Sequence, residues 1–435
     1  MNPGHAFSHA PSRARRELED VVMPFWLERG VDERHGGFHT CFDNRGHERT
    51  STDKFTWSQG RFVWLLAHLA DLARRGLVSF DADHLLAVAG RGARFLREHA
   101  ILDDGTCRFR VHRDGSAAAE PPARSVYADL FAVMGLAELA RVSGDPGWLE
   151  PAEPVLDRAR RDILAGTAPT PPYEVPPGHR AFGPHLILLN TLVVHEGAAR
   201  TLGVPGHADW TAGELDHVLG HQLPGGTFAE MVPSDADRGG TLVARHRVPG
   251  HGLEAVWVAL EAAELLGRDD ARPALLRAVA ALCELGWDGE HGGLLRYTDA
   301  DGPGRPSGAS GGTPYEDLVV RTWDTKLWWV HSEASATTAI AAHRYGDPAA
   351  AEWFERIWRY TLETFPGGDE GAEWVQIRDR RAAPLDEVVA LPVKDPFHVA
   401  RNLAQIVALG DDDGGPPAGV SPAVAAAPAP SSPGR

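Results

Sequence analysis

A chain of 435 residues is long enough to bury a large core, and it allows either two or three ordinary domains or one large repeat-built domain. Its 43 Lys and Arg against 60 Asp and Glu leave a formal net charge of −17 with no long basic block, so nucleic acid and anionic membrane surfaces are excluded as expected partners. Three widely spaced cysteines, Cys41, Cys107 and Cys283, fit neither a disulfide framework nor a CxxC metal knuckle and point to a reducing cytoplasm.

The opening "MNPGHAFSHAPSRARRELED" lacks the apolar core of a signal peptide, and no apolar run of about 18 residues occurs anywhere. Residues 1–12 are expected to be disordered. Beyond them helical periodicity dominates, as in "FTWSQGRFVWLLAHLADLARRG", "HLLAVAGRGARFLREH", "SVYADLFAVMGLAELARVSG" and "AAEWFERIWRYTLETF", where apolar residues recur at i, i+3, i+4 and i+7. A weaker element returns between helices: "HGGFHTCFD", "DGTCRFRVH", "GGTFAEMV", "HGGLLRYTD" and "EGAEWVQIRD", each a glycine turn with a short extended or hairpin segment.

These segments start roughly 65 to 80 residues apart, with one gap near twice that, which fits two helices and a connection per repeat. The missing member falls on "TPPYEVPPG". The spacing predicts an all-α chain, a closed α/α toroid of about six helical pairs over 13–410, with short β-hairpin loops on one face. Its inner helices aim one set of termini at that face. Residues 411–435, rich in Pro, Ala, Ser and Gly, are expected to be a disordered tail.

Along the chain, the first chemistry-bearing residue is Arg61, which shares a helix face with Trp57 and Trp64 on a helix begun near Asp53. A guanidinium on a buried stripe needs an anion, either a structural partner or a ligand. In "RHRVPGHGLEAVWVALEAAELLG", Pro249 and Gly250 end a loop and His251 stands at the start of a helix, whose dipole disfavours imidazolium and is expected to lower its pKa. "DTKLWWVHSEA" places Trp328, Trp329, His331 and Glu333 at another helix start, either a core tryptophan pair with a capping acid or a surface for stacking a sugar ring. "VKDPFHVARNLAQIVALG" repeats the histidine arrangement, with Asp395 as N-cap, Pro396 in the first turn and His398 behind. Two helix-start histidines across one cavity form a two-base geometry; each alone is more often a cap or a hydrogen-bonded surface ring. His251 and Glu254 share a face at i, i+3, but no further ligand motif completes a metal site, and none is expected.

The stretches "GGFHTCFDNRG", "DKFTWSQGRFVW", "SVYADLFAVMGLAELAR", "VPGHGLEAVW", "DTKLWWVHSEA" and "KDPFHVARNL" occur in the order found in one family, and from Phe25 to Leu409 the chain resembles the N-acylglucosamine 2-epimerases. That family also holds renin-binding proteins, cellobiose 2-epimerases and isomerases of mannose or sulfoquinovose. The resemblance implies an (α/α)6 barrel, with the general acid/base histidines at His251 and His398 and substrate contacts at Arg61, Glu254 and Glu333. By the same resemblance Trp57, Tyr127 and Trp329 are pocket residues, and a third family histidine falls on His185.

The activity implied is epimerisation of an N-acylglucosamine-type sugar at C2: one histidine removes the proton, the other returns one to the opposite face, and Arg61 holds the enediolate oxygen. No cofactor is expected, and a homodimer is a family-level expectation. Aldose–ketose isomerisation on the same residues is the alternative, as is a non-catalytic sugar- or protein-binding member. A hydrolase would instead cast Glu254 and Glu333 as its carboxylate pair.

Overall fold

Helices that are apolar on all sides alternate along the chain with helices that are apolar on one stripe, and this alternation builds the fold. The computed structural model describes residues 9–119 and 123–411. Among them a helical run over 10–30 (α1) passes twice through π-helical geometry. It is followed by α2 (Thr56–Arg74), α3 (Ala82–Phe95), α4 (Val126–Ser143), α5 (Ala152–Leu164), α6 (Gly183–Leu202) and α7 (Ala208–Gly220). The second half holds α8 (Pro249–Leu266), α9 (Arg272–Gly286), α10 (Trp328–Tyr345), α11 (Pro348–Thr364) and α12 (Phe397–Leu409).

The even-numbered helices are buried around most of their circumference, whereas α3, α5 and α11 bury one face and present charge on the other. The even set therefore forms an inner ring inside the odd set. Each inner helix packs on the next, and α12 packs on both α1 and α2, which closes the ring as an (α/α)6 barrel. The inner ring is tight at α2 and α4, where a Cβ on Gly60 would stand 2.1 Å from the Phe131 carbonyl oxygen and one on Gly135 2.4 Å from that of Gly60. Only glycine lets the two backbones touch there.

The glycine segments are the connections from outer to inner helices. Single bridges close four of them, Val31 with Phe38, Ile101 with Cys107, Gln222 with Phe228 and Trp287 with Leu294. The longer strand pairs form between successive connections rather than within one. Lys54–Phe55 pairs with Arg110–Val111, His179–Ala181 with Met231–Pro233, and Lys326–Leu327 with Ile377–Arg378, all antiparallel. The "TPPYEVPPG" segment leads into the third of these strands, and so belongs to the series.

Two corrections concern element starts. The helix carrying Arg61 begins at Thr56 rather than near Asp53, because Lys54 and Phe55 are taken by the strand. The stretch expected to be disordered to residue 12 already holds a helix from Ala10, whose Ala10, Ala14 and Leu18 form a buried stripe against α12 that alanines conceal in the sequence. Residues 1–8 and the expected tail beyond Asp411 lie outside the described residues. No helix among the described residues is long and apolar enough to cross a membrane.

Two connections carry the same clasp. Asp32, in "DERHGGF", accepts from Lys54 Nζ at 3.1 Å and from Arg113 at 2.9 and 3.0 Å. Asp288, in "DGEHGGL", accepts from Lys326 Nζ at 3.1 Å and from Arg380 at 2.8 and 2.9 Å. Both lysine side chains are fully buried, and both clasps tie a glycine turn to the strand that runs straight into an inner helix. Burial pulls the Lys326 ammonium down to about 8, with Asp288 opposing it. Asp288→Asn leaves that buried charge without its counter-ion, and should lower the unfolding free energy by about 3–5 kcal/mol in urea titration. A loss under about 1 kcal/mol would show that water reaches Lys326.

Candidate active site

Because the inner helices alternate with outer ones, they all run in one direction, and their N-termini converge on a cavity of about 740 Å³. Trp57 and Arg61 reach it from α2, Tyr127 from α4, His251 and Glu254 from α8, Trp329 from α10, and His398 from α12. The Trp329 indole lies against both imidazoles, with ring centroids 5.1 Å from His251 and 5.8 Å from His398. The two histidines thus face one space from two helix starts.

His251 is the third residue of α8, and its Nδ1 stands 3.1 and 3.0 Å from the two oxygens of Glu230, a buried residue beside the strand Met231–Pro233. The sequence argument expected a lowered pKa here; the structure reverses it. Burial does push toward the neutral ring, but the Glu230 carboxylate, with a smaller contribution from Glu254, outweighs it, and the pKa is raised. Glu230 is held below its ordinary range by the reciprocal attraction of His251, against its own burial.

His398 follows Phe397, whose N–H donates to Asp395 Oδ1 at 2.8 Å; the N-cap of α12 is Pro396 rather than the expected Asp395, which stands one residue earlier. Its Nδ1 lies 2.6 Å from Glu333 Oε1. Glu333 also accepts from Trp257 Nε1 and Asn402 Nδ2, each at 2.8 Å, and from the Arg401 guanidinium, which reaches Glu254 at 3.0 Å as well. Burial works against ionising Glu333, but Arg401 and His398 more than offset it and hold the carboxyl below its usual range. With Nδ1–H directed at a carboxylate in both histidines, the hydrogen-bond network assigns the lone pair to Nε2, which has no hydrogen-bond partner among the described residues.

The anion that Arg61 requires is Asp395, at 2.7 Å. The guanidinium also lies 4.0 Å from the Phe131 ring, 4.9 Å from Phe397 and 5.2 Å from Trp57. Of the site residues that the family resemblance implied, two are not brought to the cavity wall. Glu333 is fully buried behind His398 and acts on the site through it. His185, on the first turn of α6, points outward to Glu214 on α7 at 2.5 Å and stacks on His217, while its neighbours Leu186 and Ile187 line the cavity.

Glu230, Arg401 and Asn402 were not singled out. Arg401 and Asn402 stand at i+3 and i+4 from His398 in "FHVARNL", a spacing that shares its helix face. Glu230 is the one acid in "GGTFAEMV". Glu254, Glu333 and His398 present ligand atoms within 4.8 Å of one another, close enough to hold a metal ion, but the Arg401 guanidinium occupies the place between the two carboxylates.

Residues 228–401 match the family model of N-acylglucosamine 2-epimerase. The N-acylglucosamine 2-epimerase of Bos taurus is 32% identical over 405 residues, covering 90% of this chain and 89% of its own. A cellobiose 2-epimerase of Ruminococcus albus is 24% identical, covering 92% and 99%. Among solved structures, cellobiose 2-epimerase from Spirochaeta thermophila superimposes with a TM-score of 0.72 at 20% identity, over 94% of this chain and 99% of its own, and shares the fold.

Glu230→Gln removes the main charge that raises His251 and leaves burial opposed only by the weaker attraction of Glu254. The His251 ring should then titrate at lower pH than in the wild type, followed by NMR of its Cε1 proton. An unmoved titration would exclude Glu230 as the controlling group.

Proposed function

The chain belongs to the N-acylglucosamine 2-epimerase family, and on that premise we propose that it interconverts an N-acylglucosamine-type sugar and its manno epimer by moving a proton at C2. The observation that carries this reading is the pair of imidazoles on one indole, each anchored through Nδ1 to a buried carboxylate and each with Nε2 left for the substrate.

In the open-chain sugar the C2 proton is acidified by the neighbouring aldehyde. One neutral imidazole takes that proton through Nε2, and the C2–H electron pair moves into the C1–C2 bond as the carbonyl oxygen gains charge. Arg61, held in place by Asp395, is the cation on the cavity wall suited to that oxygen. The second histidine, as imidazolium, donates a proton to the opposite face of C2 and restores the aldehyde. No electrons are gained or lost overall, so the chemistry asks for no redox partner.

The carboxylate pair of a hydrolase would have to face the cavity, yet Glu333 is fully buried and shares one guanidinium with Glu254. An isomerase would return the proton to C1, and the position of a solvent label separates the two outcomes. We also infer cytoplasmic residence, on the strength of three buried and unpaired cysteines.

In D2O, wild-type protein should place deuterium at C2 of N-acetylglucosamine as N-acetylmannosamine appears. His251→Ala and His398→Ala should each slow epimerisation by about 10²–10⁴-fold. Each variant should still exchange the C2 proton of one epimer without inverting it, and the surviving epimer should differ between them. Label at C1 of a ketose would replace this reading with isomerisation.

A further inference from the structure

Four arginines are buried among the described residues, and three of them face a carboxylate: Arg61 pairs with Asp395, Arg378 with Glu370, and Arg401 with Glu254 and Glu333. The fourth is Arg296, in the connection between α9 and α10. It is 6% exposed, and it lines the central cavity. Its Nη1 donates to the Thr322 hydroxyl at 3.1 Å and its Nη2 to the Val389 carbonyl at 3.4 Å, and its guanidinium carbon lies 4.9 Å from the Tyr297 ring centroid. All of these partners are neutral. No carboxylate pairs with it among the described residues, in a chain whose acids outnumber its bases by seventeen.

The buried acids of the cavity wall are already engaged. Glu230 is taken by His251, Glu254 by Arg401 and Asp395 by Arg61. Asp386 and Glu387 also line the cavity but are exposed, and Glu387 faces Arg321 at 3.9 Å. A buried cation without an internal counter-ion is costly unless a ligand supplies the charge.

Arg296 is also fixed in advance of any ligand. The flanking backbone is held by Leu294 N–H donating to His331 Nε2 at 2.8 Å and Tyr297 N–H donating to the Trp323 carbonyl at 3.0 Å. Tyr297 stands on the same wall, and burial keeps its phenol protonated and able to donate, whereas the Tyr315 hydroxyl already donates to His246 Nε2 at 2.8 Å. A guanidinium beside a phenol is a donor set for an oxyanion.

We propose that Arg296 receives an anionic substituent, a phosphate, sulfate or carboxylate, on the sugar that this cavity takes. The inference rests on the sugar-epimerase reading and narrows its substrate class from neutral to acidic N-acyl sugars. Arg296 would act in specificity; the proton transfers stay with His251 and His398.

The test compares N-acetylglucosamine with its 6-phosphate, its 6-sulfate and 2-acetamido-2-deoxyglucuronic acid, by C2 deuterium exchange and by calorimetric titration. At least one acidic sugar should be favoured by about 10- to 100-fold in kcat/KM and in Kd over the neutral one. The arm that shows the preference identifies the anion. Arg296→Met should bring that ratio near unity, and Arg296→Lys should restore part of it. Wild-type protein that epimerises the neutral sugar and binds no acidic sugar more tightly overturns the proposal and leaves the epimerase reading standing. Tighter binding of an acidic sugar, lost in Arg296→Met but without exchange at C2 of any sugar, sustains the anion receptor and sinks the epimerase reading. Neither preference nor exchange sinks both.

Discussion

The site depends on one buried carboxylate. Glu333 has no solvent exposure, yet it is ionised, because His398, Arg401, Asn402 and Trp257 converge on it from two other inner helices. A carboxylate in so dry a place would take up a proton if any substantial part of that shell were absent. Its ionisation in turn sets the tautomer of His398. Arg401 extends the same network to Glu254, so a residue on the cavity wall is positioned by one behind it. The charge is stabilised by geometry that only the closed ring supplies: α8, α10 and α12 must be in register before the four donors meet.

The ring also explains why chemistry gathers on one face. Alternation of inner and outer helices makes the inner set parallel, and every outer-to-inner connection then lies at the same end. The Asp32 and Asp288 clasps fix two of those connections to the strands that lead directly into α2 and α10. Trp57 and Trp329 stand within three residues of the buried lysines, so the clasps set where the aromatic walls of the cavity begin.

Much of this was legible from residues alone. Helical period and the returning glycine segments indicate a toroid, and the Pro-Gly-His and Asp-Pro-Phe-His starts mark the two histidines whose convergence the fold then supplies. What stayed hidden were relations between segments distant in sequence. Glu230 raises the His251 pKa from a different connection, and a local argument from the helix dipole gave the wrong sign because it contained no knowledge of that neighbour. His185 has the right residue type near the right helix start, but the orientation of its first turn sends it toward Glu214. Glu333 looked like a ligand contact because an acid beside two tryptophans reads the same whether it faces a cavity or the core. The start of α1 at Ala10 falls in a stretch expected to be disordered, because alanine is a weak apolar signal, though the small Ala10 and Ala14 are buried where α1 packs on α12.

The two histidines are built alike but not placed alike, and the difference bears on a reversible proton transfer. The His251 side chain is 33% exposed and answers to one acid, whereas His398 is 8% exposed and sits among Glu333, Arg401 and, 4.0 Å from its Nε2, Asp395. Protonating His398 therefore perturbs a set of charges that includes the Asp395 partner of Arg61, while protonating His251 perturbs chiefly Glu230. Asp395 thus touches three functions at once: it accepts from the first N–H of α12, neutralises Arg61 and faces His398. Since Arg61 belongs to the first inner helix and Asp395 precedes the last, their ion pair is also where the ring closes. Barrel closure and the placing of the Arg61 cation on the cavity wall are one contact, so a change in either residue acts on fold and site together.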